Sequence, residues 1–199
     1  MQNLQFPIEF TFKIGTLAND FKAMDGAGRI VAYARQKMFK LKEDIIIFSD
    51  ESKTEELYRI RADKWIDFST AYAFTDVKTG QTLGRVARKG WRSIWKARYE
   101  IISEQEEHQY SINERNGWVK IWDSLLSEIP ILGIFTGYLF NPSYSVSDLN
   151  GEERIRLRKK PSFFGRRFEL TEIKKIESEN EVRVMLALMV MILLERRRG

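Results

Sequence analysis

The chain has 199 residues, 43% hydrophobic and 31% charged, a balance that suits a folded domain and excludes wholesale disorder. Its net charge of +5, with a pI near 9.3, mildly favours anionic partners such as lipid headgroups or nucleic acid. There is no cysteine, which excludes disulfides, thiol catalysis and cysteine-ligated zinc.

The opening stretch MQNLQFPIEFTFKIG has no basic segment running into an apolar one, so no secretory leader is expected and the cytoplasm is the predicted compartment. EFTFKI (9–14) alternates as a strand does. IVAYA (30–34), DIIIF (44–48), LYRIRA (57–62), STAYAFTD (69–76), LGRVAR (83–88), KARYEII (96–102) and QYSIN (109–113) follow, short, β-branched or aromatic. A pattern recurs through them: a strand ends in Asp, a polar turn follows, and a basic-ended strand returns. Asp25, Asp50 and Asp76 open three such units, 25 and 26 residues apart, and Asp148 opens a fourth. Each carboxylate is placed to accept hydrogen bonds from turn amides. DGAGR is half of a dinucleotide fingerprint, but a strand follows it where that fingerprint needs a helix, so it reads as a turn.

An insertion, about residues 103–143, separates the third and fourth units. SEQEEH is a polar loop holding His108, the only histidine, which excludes histidine triads and multi-histidine metal sites. Trp118, Ile121, Trp122, Leu125 and Leu126 then fall at helical spacing, predicting a helix over about 113–129 that Pro130 stops. The glycine-broken run 131–140 reads as a strand or turn over one barrel end. DLNGEE has the acidity of a calcium loop without its ligand ladder. RIRLRKK (154–160) and RFELTEI (167–173) close the strand set.

The C-terminal VRVMLALMVMILLERRRG is apolar on every face from Val184 to Leu194. Eleven helical residues cover only about 16 Å, against the roughly 30 Å of a bilayer core. A helix over about 180–196, N-capped by Asn180, must therefore be enclosed by protein. Roughly twelve antiparallel strands would curl and close, and a helix fills a barrel too wide for its own side chains. The expected fold is mainly β (α+β): one domain, 1–199, a twelve-stranded closed barrel around a central hydrophobic C-terminal helix.

Taken together, the D-x-x-G strand units, EIPILGIFTGYLFNPSYSVSDLNG, RLRKKPSFFGRRFEL and the closing apolar helix resemble the tubby C-terminal-like superfamily, in its LURP-one-related and phospholipid-scramblase-like branch. The resemblance covers nearly the whole chain and implies the same helix-filled barrel. It implies binding in place of catalysis: tubby domains bind phosphoinositides, and scramblases are linked to lipid movement. No lipid-contacting residue carries over position by position.

Two basic stretches are the strongest candidate site. One runs without an acid between Glu153 and Glu169, the other between Asp76 and Glu100. Were the third and fourth units neighbours, Arg88, Lys89, Arg92, Arg156, Arg158, Lys160, Arg166 and Arg167 would merge into one anion-binding surface, with Trp91, Trp95, Phe163 and Phe164 at the kinks. The same alternation fits the solvated face of half-buried strands. The expectation is a non-catalytic binding or scaffold module without cofactor or metal, peripheral at anionic phospholipid or phosphoinositide. The alternatives are a scramblase-like lipid-translocating protein and a protein adaptor. Nucleic acid is disfavoured because no recognised motif is present.

Overall fold

A computed structural model describes residues 4–13, 19–36, 44–62, 71–88, 98–115, 142–161 and 167–196. Its strands are β1 (Ile8–Phe12), β2 (Asn19–Met24), β3 (Ile30–Gln36), β4 (Asp44–Phe48), β5 (Glu56–Ala62) and β6 (Ala71–Asp76). They continue as β7 (Thr82–Arg88), β8 (Arg98–Ile102), β9 (His108–Glu114), β10 (Ser143–Asp148), β11 (Glu153–Lys160) and β12 (Arg167–Glu172), and a helix, α1 (Ser178–Arg196), ends the described chain. Each strand pairs antiparallel with its sequence neighbours. β1 closes on β12 with Ile8 opposite Leu170 and Thr11 opposite Arg167, giving the expected twelve-stranded barrel.

Strand alternation explains the filling. Phe10, Phe21, Ala34, Ile47, Ile60, Phe74, Val86, Ile101, Ile112, Val146, Leu157 and Leu170 point inward from successive strands and are fully buried. They enclose α1, whose residues Val184 to Leu193 are all at most 1% exposed. A helix this apolar on every face is stable in water only when surrounded, so the sheet and helix need each other. Among the described residues no helix is long and apolar enough to cross a membrane.

The two ends differ. The β2–β3, β4–β5, β6–β7, β8–β9 and β10–β11 turns all lie at the end where α1 begins. The alternate connections leave the opposite end and fall largely outside the described residues. Every tight hairpin carries a register shift beside its turn: at Ala23/Met24, Ile47/Phe48, Phe74/Thr75, Ile101/Ile102 and Val146/Ser147. Such bulges add local twist, which helps a wide sheet curl.

The aspartates act as the repeat suggested. Asp25 Oδ1 accepts from the backbone N–H of Ala27 and Arg29, and Asp148 Oδ1 from those of Asn150 and Glu152. Asp50 and Asp76 cap their turns through Ser52 and Thr79. A further unit escaped the aspartate pattern. Ser103, 27 residues after Asp76, accepts from the N–H of Gln105 and Glu107 through its hydroxyl. SEQEEH is thus a hairpin turn continuing the repeat. Asn113 and Glu114 belong to β9, not to the expected helix, and the rest of that helix and the 131–140 run lie outside the described residues. β2 and β10, which run into Asp25 and Asp148, were not among the strands read from the sequence, and α1 starts at Ser178, two residues before the expected cap.

Candidate functional site: a basic row on the barrel wall

The register sets one lateral row across the outer wall. Lys160 lies opposite Arg167, Arg167 opposite Thr11, Thr11 opposite Lys22, Lys22 opposite Tyr33, and Tyr33 opposite Phe48. The row therefore runs from β11 through β12, β1 and β2 to β3 and β4. Arg158 and Arg167 are exposed and make no ion pair among the described residues. Lys160 pairs with Glu169 at 2.7 Å. Arg156 is different: its guanidinium forms a fork on Glu153, with Nε at 2.9 Å and Nη2 at 2.5 Å from the two carboxylate oxygens. That pair holds the Glu153 carboxyl below its ordinary range.

The two basic stretches do not merge. β7 and β11 are separated by β8, β9 and β10, about 19 Å along the wall at strand spacing. Arg88 shares the inner face of β7 with Val86, opposite Tyr99, so it belongs to the barrel mouth and not to the wall. Burial pushes the Tyr72 hydroxyl up to about 12, a rise that the charge of Arg88 opposes. Lys89, Arg92 and Arg166, and the aromatics Trp91, Trp95, Phe163 and Phe164, lie outside the described residues. Barrel closure instead brings Lys22, and Lys13 just past the end of β1, into line with the β11–β12 cations.

At the Tyr33 end the row becomes a built structure. Tyr33 is 2% exposed although it faces outward, and packs with Ile46 and Phe48. Its hydroxyl donates to Asp20 Oδ2 at 2.8 Å, and burial, reinforced by Asp20, pushes its pKa well up. Lys13 and Lys53 place their ammonium groups 5.3 and 5.8 Å from the ring centroid, within cation–π range. Glu51, on the β4–β5 turn, lies 2.6 Å from Lys13 Nζ and 3.7 Å from Lys22 Nζ. Lys13 holds the Glu51 carboxyl below its ordinary range.

Two other polar regions were missed from sequence. At the tight-turn end, Arg183 is buried beside the helix start, donating to the Leu83 carbonyl at 2.5 Å and to Asn180 Oδ1 at 2.6 Å, with Gln109 and Glu104 completing its contacts. Beside it opens a cleft of about 350 Å³ lined by His108, Asp148, Arg154, Lys175 and Glu177 among others. Arg154 is taken up there by Asp148 and Glu152, and no group of three acids or histidines among the described residues could hold a metal ion. At the opposite mouth Gln36, Tyr72, Tyr99, Glu114 and Tyr144 form a buried polar collar on the inner face. Each sits at a strand end in phase with core residues, the signal by which it could have been found.

A family model described as LURP-one-related matches residues 30–192, most of the barrel wall and nearly all of α1. The chain belongs to the LURP-one-related family. That family is part of the tubby C-terminal-like superfamily, in agreement with the helix-filled twelve-stranded barrel. No curated protein and no solved structure matches the chain. In this LURP-one-related barrel the basic row lies on the outer wall, and its interior is occupied by its own helix.

Proposed function

We propose that this protein is a non-catalytic, peripheral binding module for anionic phospholipid surfaces, using the outer wall of β11, β12, β1 and β2. The observation that carries the reading is the register row Lys160–Arg167–Thr11–Lys22, flanked by Arg158 at the next outward position of β11 and by Lys13 just past the end of β1. The row stays net positive after Glu9, Glu51 and Glu169 are set against its cations. Each basic residue near an anionic leaflet contributes about 1 kcal/mol, so a handful gives reversible attachment. Family membership supports a lipid-binding module over an enzyme. Away from the β4–β5 turn, the tight-turn end around the start of α1 is rich in acid, with Glu104, Glu106, Glu107, Glu179 and Glu181, and would be repelled from the same surface.

The experiment is co-sedimentation with phosphatidylcholine vesicles, with and without phosphatidylserine, over a range of salt. Binding that needs the anionic lipid and weakens with salt is expected. Absent or salt-insensitive binding overturns the reading and favours a protein adaptor.

A further inference from the structure

The Tyr33 end of the row has more organisation than a solvated strand face requires. Two ammonium groups, from Lys13 and Lys22, converge on the single Glu51 carboxylate, and a third, from Lys53, adds charge over the same ring without an ion pair among the described residues. The floor is fixed: Tyr33 is buried and held through its hydroxyl by Asp20, itself 3% exposed. Glu51 is part-exposed and sits on a turn, so it can swing away without disturbing that floor.

The turn itself shows a cost accepted for this arrangement. In the β2–β3, β6–β7 and β10–β11 turns the positive-φ position is glycine, Gly28, Gly80 and Gly151. In the β8–β9 turn it is Glu106, with φ of 65°, which pairs with Arg85, and in the β4–β5 turn it is Lys53, with φ of 60°, each a charged side chain kept in use in a conformation that disfavours side chains other than Asn and Asp. A glycine would form the same turn more readily, but it would carry no ammonium group to Tyr33.

We propose that Lys13, Lys22 and Lys53, over the Tyr33 ring, form a binding site for a phosphate-class oxyanion, and that the Glu51 carboxylate is its internal stand-in. A tetrahedral dianion offers more acceptor oxygens and more charge than one carboxylate, and so satisfies three ammonium groups where Glu51 serves two. The β4–β5 turn is then the element that responds, because Glu51 is released when the oxyanion binds. The site lies at one end of the face assigned above to lipid and deepens that reading. Free phosphate tests it without a membrane, so the two fail separately.

The test is a titration of the full chain with inorganic phosphate, followed by the backbone amide NMR shifts of residues 50–55. Saturable shifts are expected. Glu51→Gln removes the competitor and should tighten binding about two- to fivefold, the range of one exposed ion pair. Glu55→Gln makes the same change in net charge on the same turn and should not tighten it. Lys53→Gly should be no less stable to thermal unfolding, yet bind phosphate more weakly. Equal behaviour of the two glutamate variants, or unchanged affinity in folded Lys53→Gly, overturns the proposal. The source is assigned by repeating the comparison on phosphatidylcholine vesicles carrying a phosphatidylinositol monophosphate or phosphatidylserine. A gain for Glu51→Gln on the phosphoinositide vesicles assigns a lipid headgroup, and a gain on free phosphate alone assigns a soluble ligand.

Discussion

Gly84 lies directly beneath Arg183: a Cβ built on this glycine would stand 3.0 Å from the arginine Nε and 2.2 Å from the Ile102 carbonyl oxygen. Its φ of +105° is also one that side chains rarely adopt. The bulge of β7 thus lets the wall approach the helix start closely enough for Arg183 to reach the Leu83 carbonyl. Gly84→Ala should lose about 3 kcal/mol through backbone strain and overpacking. In a chain of this size that lowers Tm by roughly 6–12 °C, measurable by calorimetry. An unchanged Tm would mean that the barrel end can relax away from the helix.

Arg183 should not be replaceable even by another cation. Its planar guanidinium serves Leu83, Gln109, Asn180 and Glu104 from different sides, a geometry that a lysine ammonium cannot reproduce. Arg183→Met leaves a buried carbonyl and the Asn180 amide oxygen without donors and should cost about 2 kcal/mol. Glu104 is exposed enough to rehydrate, so the loss should fall short of that for a fully buried pair. Chemical unfolding of Arg183→Met and Arg183→Lys checks this, and a lysine variant as stable as wild type would refute the geometric argument.

The helix-filled barrel was legible because two oddities in the sequence required each other: an apolar helix too short to span a bilayer, and a strand repeat with too many members for an open sheet. The repeat itself was read through its aspartates, and so passed from Asp76 to Asp148 over the unit between them; Ser103 performs the same turn-capping there with a hydroxyl and needed only the spacing to be found. The proposed binding face was half legible. Arg158, Lys160 and Arg167 are together as expected, because β11 and β12 are sequence neighbours. Arg88 was misplaced because which strands lie side by side follows from strand order, and three strands intervene. Lys13 and Lys22 were missed for the complementary reason, since they reach the row only through closure of β1 on β12, a pairing with no local signature.

Removal of α1 should abolish the fold. Deleting residues 178–199 would leave the inner side chains of twelve strands facing a void, with no other apolar surface among the described residues to cover them. An insoluble chain without the near-ultraviolet dichroism of packed aromatics is expected. A soluble, cooperatively unfolding truncation would show that the wall closes on its own.

The turn aspartates predict an acid limit on stability. At Asp148 the hydrogen bonds from Arg154 are the main cause lowering the carboxyl pKa, with the turn amides adding to them. At Asp25 burial acts to raise it, but the side-chain and backbone bonds from Arg29 and Ala27 together outweigh burial. Both folded values lie below the unfolded one of about 3.9. Their contribution is therefore complete above that unfolded value and is lost as pH falls through the folded values. Asp25→Asn with Asp148→Asn should lower stability at neutral pH and flatten its decline on acidification, seen by urea unfolding at stepwise lower pH. A double variant with the wild-type slope would locate the acid sensitivity elsewhere.

The membrane reading makes a prediction within one strand. Arg156 and Arg158 both face outward on β11, but Arg156 is committed to Glu153 while Arg158 makes no ion pair among the described residues. Arg158→Glu with Arg167→Glu reverses two exposed cations of the row. At about 1 kcal/mol for each charge removed or added, it should weaken binding to phosphatidylserine vesicles by roughly a thousandfold, with little effect on Tm. Arg156→Glu should show the opposite balance, because it sets the new carboxylate against Glu153 and so costs stability, while removing a cation already neutralised. Co-sedimentation and thermal unfolding of the two variants separate the cases. Equal loss of vesicle binding in both would mean that net charge alone draws this barrel to the surface, and that the row is not the contact.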